Sequence, residues 1–242
     1  MTVLFSNLNM LCDVMWVFFD VGGVLIDVRG LFHYVAKGLG EKAGLDVQFL
    51  RERLLQHFRE LKSGGVFKSV WELFYESFLL VAKEVKLDID SAVELARLAA
   101  DLHVEFFNKH ARLYPDALPC LEALSRSGFK LGVISDADWE VLEREMERFK
   151  IDKYFEVIVT SSMVRKYKPD HRIFAEALKK AQCRPVESVY IGDSDVDLGS
   201  KQAGMIFILL DRGEKRVSEA VKSKADFIIH SLNTIPKILT RP

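Results

Sequence analysis

The feature that most constrains this chain is an apolar run broken by a single acid: Val14–Phe19 reads VMWVFF and stops at Asp20. Such a run has no polar alternation, so both of its faces must be covered. Strands of that kind belong to parallel sheets flanked by helices. Similar runs recur at Lys130–Ile134, Val157–Thr160, Val189–Ile191, Ile206–Leu210 and Phe227–Ile229. Segments of helical period separate them. Val141, Leu142, Met146 and Phe149 share one face, and Ile173, Phe174, Ala177 and Leu178 share another. Strand alternating with helix predicts an α/β fold with a doubly wound, Rossmann-like parallel sheet.

One stretch breaks the alternation. From Leu31 to His110 only helical patterns occur, with Leu50, Leu54, Phe58 and Leu61 on one stripe and Val70, Phe74, Phe78 and Val81 on the next. Gly64-Gly65 separates the two, and Pro115 and Pro119 mark the return to the sheet. The expected organisation is an α/β core of residues 1–28 and 111–242, with residues 29–110 forming an all-helical domain inserted after the first strand.

Composition narrows what this fold can serve. Thirty-four Lys and Arg against 35 Asp and Glu give a net charge of −1, so no global basic field exists to hold nucleic acid or an anionic membrane. The longest apolar runs, such as Met205–Leu210, are too short to span a bilayer. The first residues lack the basic start and long apolar stretch of a signal peptide, and Met10 and Met15 are alternative starts. Cys12, Cys120 and Cys183 are odd in number and widely spaced. That argues against a disulfide scaffold or zinc ribbon and makes a cytoplasmic setting the expectation.

Ligands of open α/β sheets bind at the carboxyl ends of the strands. Four of those ends carry polar residues: Asp20, Ser135-Asp136, Ser161-Ser162 and Gly192-Asp193, the last continuing as Ser194-Asp195-Val196-Asp197. Lys168 stands before Pro169 in the loop after the third strand. Asp20, Asp193 and Asp197 in one crevice would repel unless a cation sat among them, and oxygen-only ligands suit Mg²⁺. A lysine and a hydroxyl alongside would receive phosphate. Taken singly, each has a plainer reading. An Asp after a strand is a turn residue or helix cap, and a lone lysine is a solvated surface group. Their joint occurrence, in order and at strand ends, points to a site.

These residues also carry a family resemblance. Asp20-Val21-Gly22-Gly23-Val24-Leu25, Ser135 after GVI, Lys168-Pro169-Asp170, and Gly192-Asp193-Ser194 through Asp197 resemble the four ordered motifs of the haloacid dehalogenase (HAD) superfamily. The helical insert, and Tyr114-Pro115 ahead of Leu118–Leu124, resemble its phosphatase-rich branch, in which the insert is a cap. The resemblance implies a Mg²⁺-dependent phosphatase of a small phosphorylated metabolite, with Asp20 taking the phosphoryl group as an aspartyl phosphate. It implies Ser135, Asp136 and Lys168 around the phosphate, and Asp20, the Gly22 carbonyl, Asp193 and Asp197 around the metal. Asp195 competes with Asp197, because the segment from Asp197 to Gly204 is shorter than the family spacing. Ser194 and Asp170 are supporting residues, Asp138 caps the helix that follows it, and Lys68 is a candidate substrate contact from the insert.

One departure bears on mechanism. Most phosphatases of the family carry a second Asp two places after the nucleophile, which protonates the leaving group and then activates water. Here that place is Gly22. General acid–base help of this kind is worth roughly 10²–10⁴-fold. Asp27 and His33 are the nearest substitutes, set against the plainer reading that both are surface residues. A 2-haloacid dehalogenase also lacks the second Asp but needs no metal, whereas the last motif here is strongly acidic. A degenerate member that binds a ligand or partner without turnover is the non-enzymatic alternative. A receiver-type signalling domain is shorter and has no insert.

Overall fold

A computed structural model describes residues 11, 13–213 and 217–239; Met10 and Cys12 lie outside the described residues. Six parallel strands form the main sheet: β1 (Trp16–Phe19), β4 (Lys130–Ser135), β5 (Phe155–Thr160), β6 (Ser188–Gly192), β7 (Ile206–Leu210) and β8 (Phe227–Ile229). They are ordered β5-β4-β1-β6-β7-β8. Counted along the chain this is the 3-2-1-4-5-6 order of doubly wound sheets, which opens a crevice beside the first strand, where the winding reverses. Every apolar run read from the sequence is one of these strands. β1 explains why: Val17, Phe18 and Phe19 are all 0% exposed, so the run is covered on both faces.

Two short strands escape sequence reading. Ile26–Asp27 (β2) and Arg112–Leu113 (β3) pair antiparallel, Ile26 with Leu113 and Asp27 with Arg112. Two residues are too few to show a period.

By contacts, the chain divides into two compact units, residues 1–27, 112–136 and 146–242, and residues 28–111 with 137–145. In the first, one face of the sheet packs Trp16, Phe18, Tyr190, Phe207 and Leu209 against Ile173, Phe174 and Ala177 of α8 (His171–Ala181). In the second, α1 (Leu31–Ala43), α2 (Val47–Ser63), α3 (Val70–Glu84) and α4 (Ile89–Lys109) enclose a separate core. Leu50, Leu54, Phe74, Phe78 and Val81, five of the stripe residues, are 0% exposed there.

Local chemistry sets the helix ends. Asp46 accepts from Phe49 N, Asp88 accepts from Ser91 N, and Ser69 with Glu72 forms a capping box at the start of α3. Gly44 closes α1 in the left-handed conformation. Asp138 corrects the sequence reading. Its carboxylate does not cap α6 (Trp139–Arg148), the helix that follows, but accepts Val70 N at 2.8 Å and Trp71 N at 3.0 Å. Those are orphan donors of the first turn of α3, so residues 137–145 cluster with the helical insert. The remaining helices are α5 (Ala117–Arg126), α7 (Ser161–Val164), α9 (Gly199–Gln202), α10 (Glu219–Lys224) and α11 (Thr234–Leu239). No helix among the described residues is long and apolar enough to cross a membrane. Cys120 and Cys183 carry free thiols.

Candidate active site

Asp20 is the first residue past β1, and its N–H donates to Ile191 O of β6 at 2.9 Å, so the carboxylate is fixed where the winding of the sheet reverses. The chain then folds on itself. Val21 O accepts from Leu25 N and Ile26 N at 2.9 Å and from Val24 N at 3.2 Å. Gly23, at φ 85°, makes the left-handed step that this turn needs, whereas Gly22 is not among the residues of positive φ. Asp20 Oδ1 accepts Val21 N at 2.8 Å and Oδ2 faces Lys168 Nζ at 2.9 Å.

The last motif reaches the same place from β6. Gly192 ends the strand, and the following 3₁₀ turn (Asp195–Leu198) brings Asp197 back beneath it. A Cβ at position 192 would stand 2.6 Å from Asp197 Oδ2, so only glycine permits the approach. Asp197 is 0% exposed and its oxygens are heavily used. Oδ2 accepts Asp193 N and Ser194 N at 3.0 Å and Ser194 Oγ at 2.7 Å. Oδ1 accepts Lys168 Nζ at 2.6 Å and Tyr190 OH at 2.9 Å. Asp197 therefore holds the lysine. Asp195, its competitor, is exposed and accepts Ser218 N at 3.3 Å.

One carboxylate oxygen from each of Asp20, Asp193 and Asp197 lies within 4.8 Å of the other two, all three residues being buried. Three carboxylates against one ammonium leave the pocket negative, a condition that favours a cation. The Asp20 pKa is raised to about 6: burial is the largest cause, Lys168 opposes it, and Asp197 and Asp193 add to the rise. Burial works against the Lys168 charge, but Asp197, Asp20 and Asp136 outweigh it and hold the ammonium firmly protonated. Burial alone would raise Asp197, yet Lys168 and the hydrogen bonds of Lys168, Ser194 and Tyr190 keep it below the ordinary carboxylate value.

The other sequence candidates fall as follows. Ser135 is buried at the carboxyl end of β4, the strand next to β1. Asp136 Oδ1 accepts Lys168 N at 2.9 Å, so its carboxylate secures the lysine's backbone. Asp170 caps α8 through Arg172 N and forks with the Arg172 guanidinium. Ser161 and Ser162 open α7. His33 is exposed on α1, and Asp27 stands opposite Arg112 on β2. Lys68 pairs with Glu76 at 2.6 Å within the helical unit. Sequence reasoning missed Tyr190. The available signal was a phenol inside a strand buried on both faces, since such a hydroxyl requires a partner.

A buried carboxylate after the first strand, a lysine bound to it and an acidic turn after the fourth strand of the main sheet converge at one crevice of a Rossmann-like sheet. Residues 17–210 match the family model of haloacid dehalogenase-like hydrolases, and the chain belongs to that family. It is 30% identical over 179 residues to a glyceraldehyde 3-phosphate phosphatase of Methanopyrus kandleri, covering 72% of each chain. It is 24% identical over 181 residues to an (S)-2-haloacid dehalogenase of Burkholderia cepacia, covering 75% of each. The fold matches that of a HAD phosphatase from Thermococcus onnurineus with a TM-score of 0.66 at 24% identity, over 94% of this chain and 98% of that one.

Proposed function

We propose that the protein is a magnesium-dependent phosphatase of a small phosphorylated metabolite. The reading rests above all on the buried Asp20–Asp193–Asp197 cluster, which retains excess negative charge even with Lys168 beside it. A metal-independent halide displacement would use Asp20 and keep Asp197 as the anchor of Lys168, but it gives no reason for Asp193 beside them. The donor set is oxygen only, as magnesium prefers. Asp20, Asp193 and the Gly22 carbonyl would hold the ion, while Asp197, engaged by Lys168, contributes charge. When bound, the ion supplies positive charge against the phosphoryl oxygens.

The chain's own residues then divide the work. An Asp20 oxygen attacks phosphorus and displaces the ester oxygen, forming an aspartyl phosphate. Lys168 and the Ser135 hydroxyl neutralise and orient the transferring group. Gly22 has no side chain to give the leaving oxygen a proton, so the proton comes from solvent. Water then attacks phosphorus, releasing phosphate and restoring Asp20. In this reading the insert, residues 29–110, selects the substrate, with Lys68 a candidate contact.

The second reading, a 2-haloacid dehalogenase, is favoured by the same Gly22, because halide leaves without a proton. Phosphate release from a panel of phosphorylated metabolites, with magnesium and with EDTA, tests the first reading beside chloride release from 2-chloropropionate. Magnesium-dependent phosphate release that vanishes in Asp20→Asn supports the phosphatase. Chloride release indifferent to EDTA, with no phosphate released, overturns it.

A further inference from the structure

Lys168 is 3% exposed, and its ammonium has three N–H groups. Three acceptors meet it: Asp197 Oδ1 at 2.6 Å, Asp20 Oδ2 at 2.9 Å and Tyr190 OH at 2.9 Å. The first two are carboxylates of the motifs. The third comes from the middle of β6, from a residue to which neither the sequence reading nor the proposed chemistry gives a part.

Tyr190 is 0% exposed and firmly seated. Its ring packs edge-on against Phe174, with centroids 5.3 Å apart and planes at 90°. Its hydroxyl accepts from Lys168 and has one proton to give, with Asp197 Oδ1 at 2.9 Å and Ile134 O at 3.1 Å as acceptors. Ile134 immediately precedes Ser135 on β4. The phenol thus joins β6, the lysine loop and the end of β4 at one oxygen.

We propose that Tyr190 is a positioning residue for Lys168. Together with Asp197 it anchors two of the three ammonium protons, leaving the bond to Asp20 as the one a substrate oxygen can replace. The argument follows from burial. Asp197 and Tyr190 are both 0% exposed, whereas the Asp20 side chain retains 11% of its surface. Asp197 is also pinned through its other oxygen by three donors. An entering anion can therefore exchange only with Asp20, and it does so beside the carboxylate on which the new bond forms. Without the phenol oxygen, the ammonium has one fixed partner and can swing about it. Such freedom misplaces positive charge in the transition state more than it weakens ground-state binding.

This inference rests on the phosphatase reading for its kinetic part, and a second measurement stands apart from activity. Tyr190→Phe keeps the ring and removes the oxygen. Its kcat should fall roughly tenfold, below the 10²–10³ lost with a donor that touches the reacting oxygen directly, with KM within about twofold. In ¹H–¹⁵N spectra of lysine ammonium groups, the Lys168 signal, assigned by its loss in Lys168→Arg, should be visible in the wild type. In Tyr190→Phe it should broaden through faster proton exchange with water. Phe174→Leu, which disturbs the ring seat but keeps the hydroxyl, serves as a packing control and should leave the signal sharp. An unchanged Lys168 signal in Tyr190→Phe overturns the proposal whatever the activity, and so does a kcat within twofold of wild type. A wild type that releases no phosphate, yet loses the signal in Tyr190→Phe, leaves the positioning role standing and overturns the phosphatase reading.

Discussion

At the scale of single residues, Gly22 has the largest consequence for chemistry. With no carboxyl to protonate the leaving oxygen, the rate should depend steeply on leaving-group acidity. p-Nitrophenyl phosphate should turn over far faster than alkyl phosphates of similar size. Gly22 is not left-handed, so an Asp there meets no φ penalty. Gly22→Asp should therefore raise alkyl phosphate turnover by roughly 10²-fold, the low end of acid–base assistance. A wild type that hydrolyses sugar and aryl phosphates equally fast would show that a substitute acid exists. The acids Asp20, Asp193 and Asp197 could be picked out in the sequence because each follows a strand. The division of labour between them could not. That Asp197 is spent on Lys168 follows from a glycine at 192 that allows it to fold under the strand, a matter of a few ångströms and not of residue type.

At the scale of elements, the sheet was readable from its doubly buried runs, while the ties between strand ends were not. The clearest is at Arg212, just past β7. Its guanidinium forks onto Asp116, with Nη2 to Oδ1 at 2.8 Å and Nη1 to Oδ2 at 3.0 Å, and Nη2 also reaches Val24 O at 2.9 Å. It stacks 3.9 Å above the Tyr114 ring. Asp116 Oδ2 further accepts Ser231 Oγ and Leu232 N, so one ion pair binds β7, the end of β8, α5 and the turn after Asp20. Its partners are 96 positions apart, and no periodicity links them. Lysine cannot reproduce a stacked fork. Arg212→Lys should cost about 1–2 kcal/mol, and Asp116→Ala about 2–4 kcal/mol because it leaves a half-buried cation without its carboxylate. Urea midpoints that fall without a change in slope would check both.

The helical unit carries a different liability. His103 on α4 is 2% exposed, stacks on Phe74 at 4.9 Å, and its Nδ1 has no hydrogen-bond partner. Burial lowers its pKa from 6.5 to about 4. Between those values the unfolded chain binds a proton that the folded one refuses, so stability is present above pH 6.5 and is lost as pH falls toward 4. The loss amounts to about 3 kcal/mol. His103→Phe should narrow the gap between urea midpoints at pH 7 and pH 4.5, and an unchanged gap would clear His103 of responsibility.

At the scale of the whole molecule, Asp20 and Asp193 lie far apart in the chain and meet only when the sheet is complete. A divalent ion that needs both binds the folded state alone, so its binding free energy adds to stability. Magnesium at about 100 times its Kd should stabilise the protein by about 2.7 kcal/mol. Asp193→Asn should lose most of that gain. Thermal melting with and without magnesium tests this without any substrate, and equal melting temperatures would leave the acidic cluster without its ion.

The strand order has one more consequence, for synthesis. β1 lies between β4 and β6, and it pairs with β6 from Trp16–Ser188 to Phe19–Ile191. A ribosome making about 5–20 residues per second needs on the order of 10–30 s to travel from one to the other. For that time an apolar strand of the nascent chain, with Asp20 just past its tip, has an edge open to any passing strand. The strand made first waits until β6 for its second neighbour, and Asp20 and Asp193 come together in the same moment that this edge is closed.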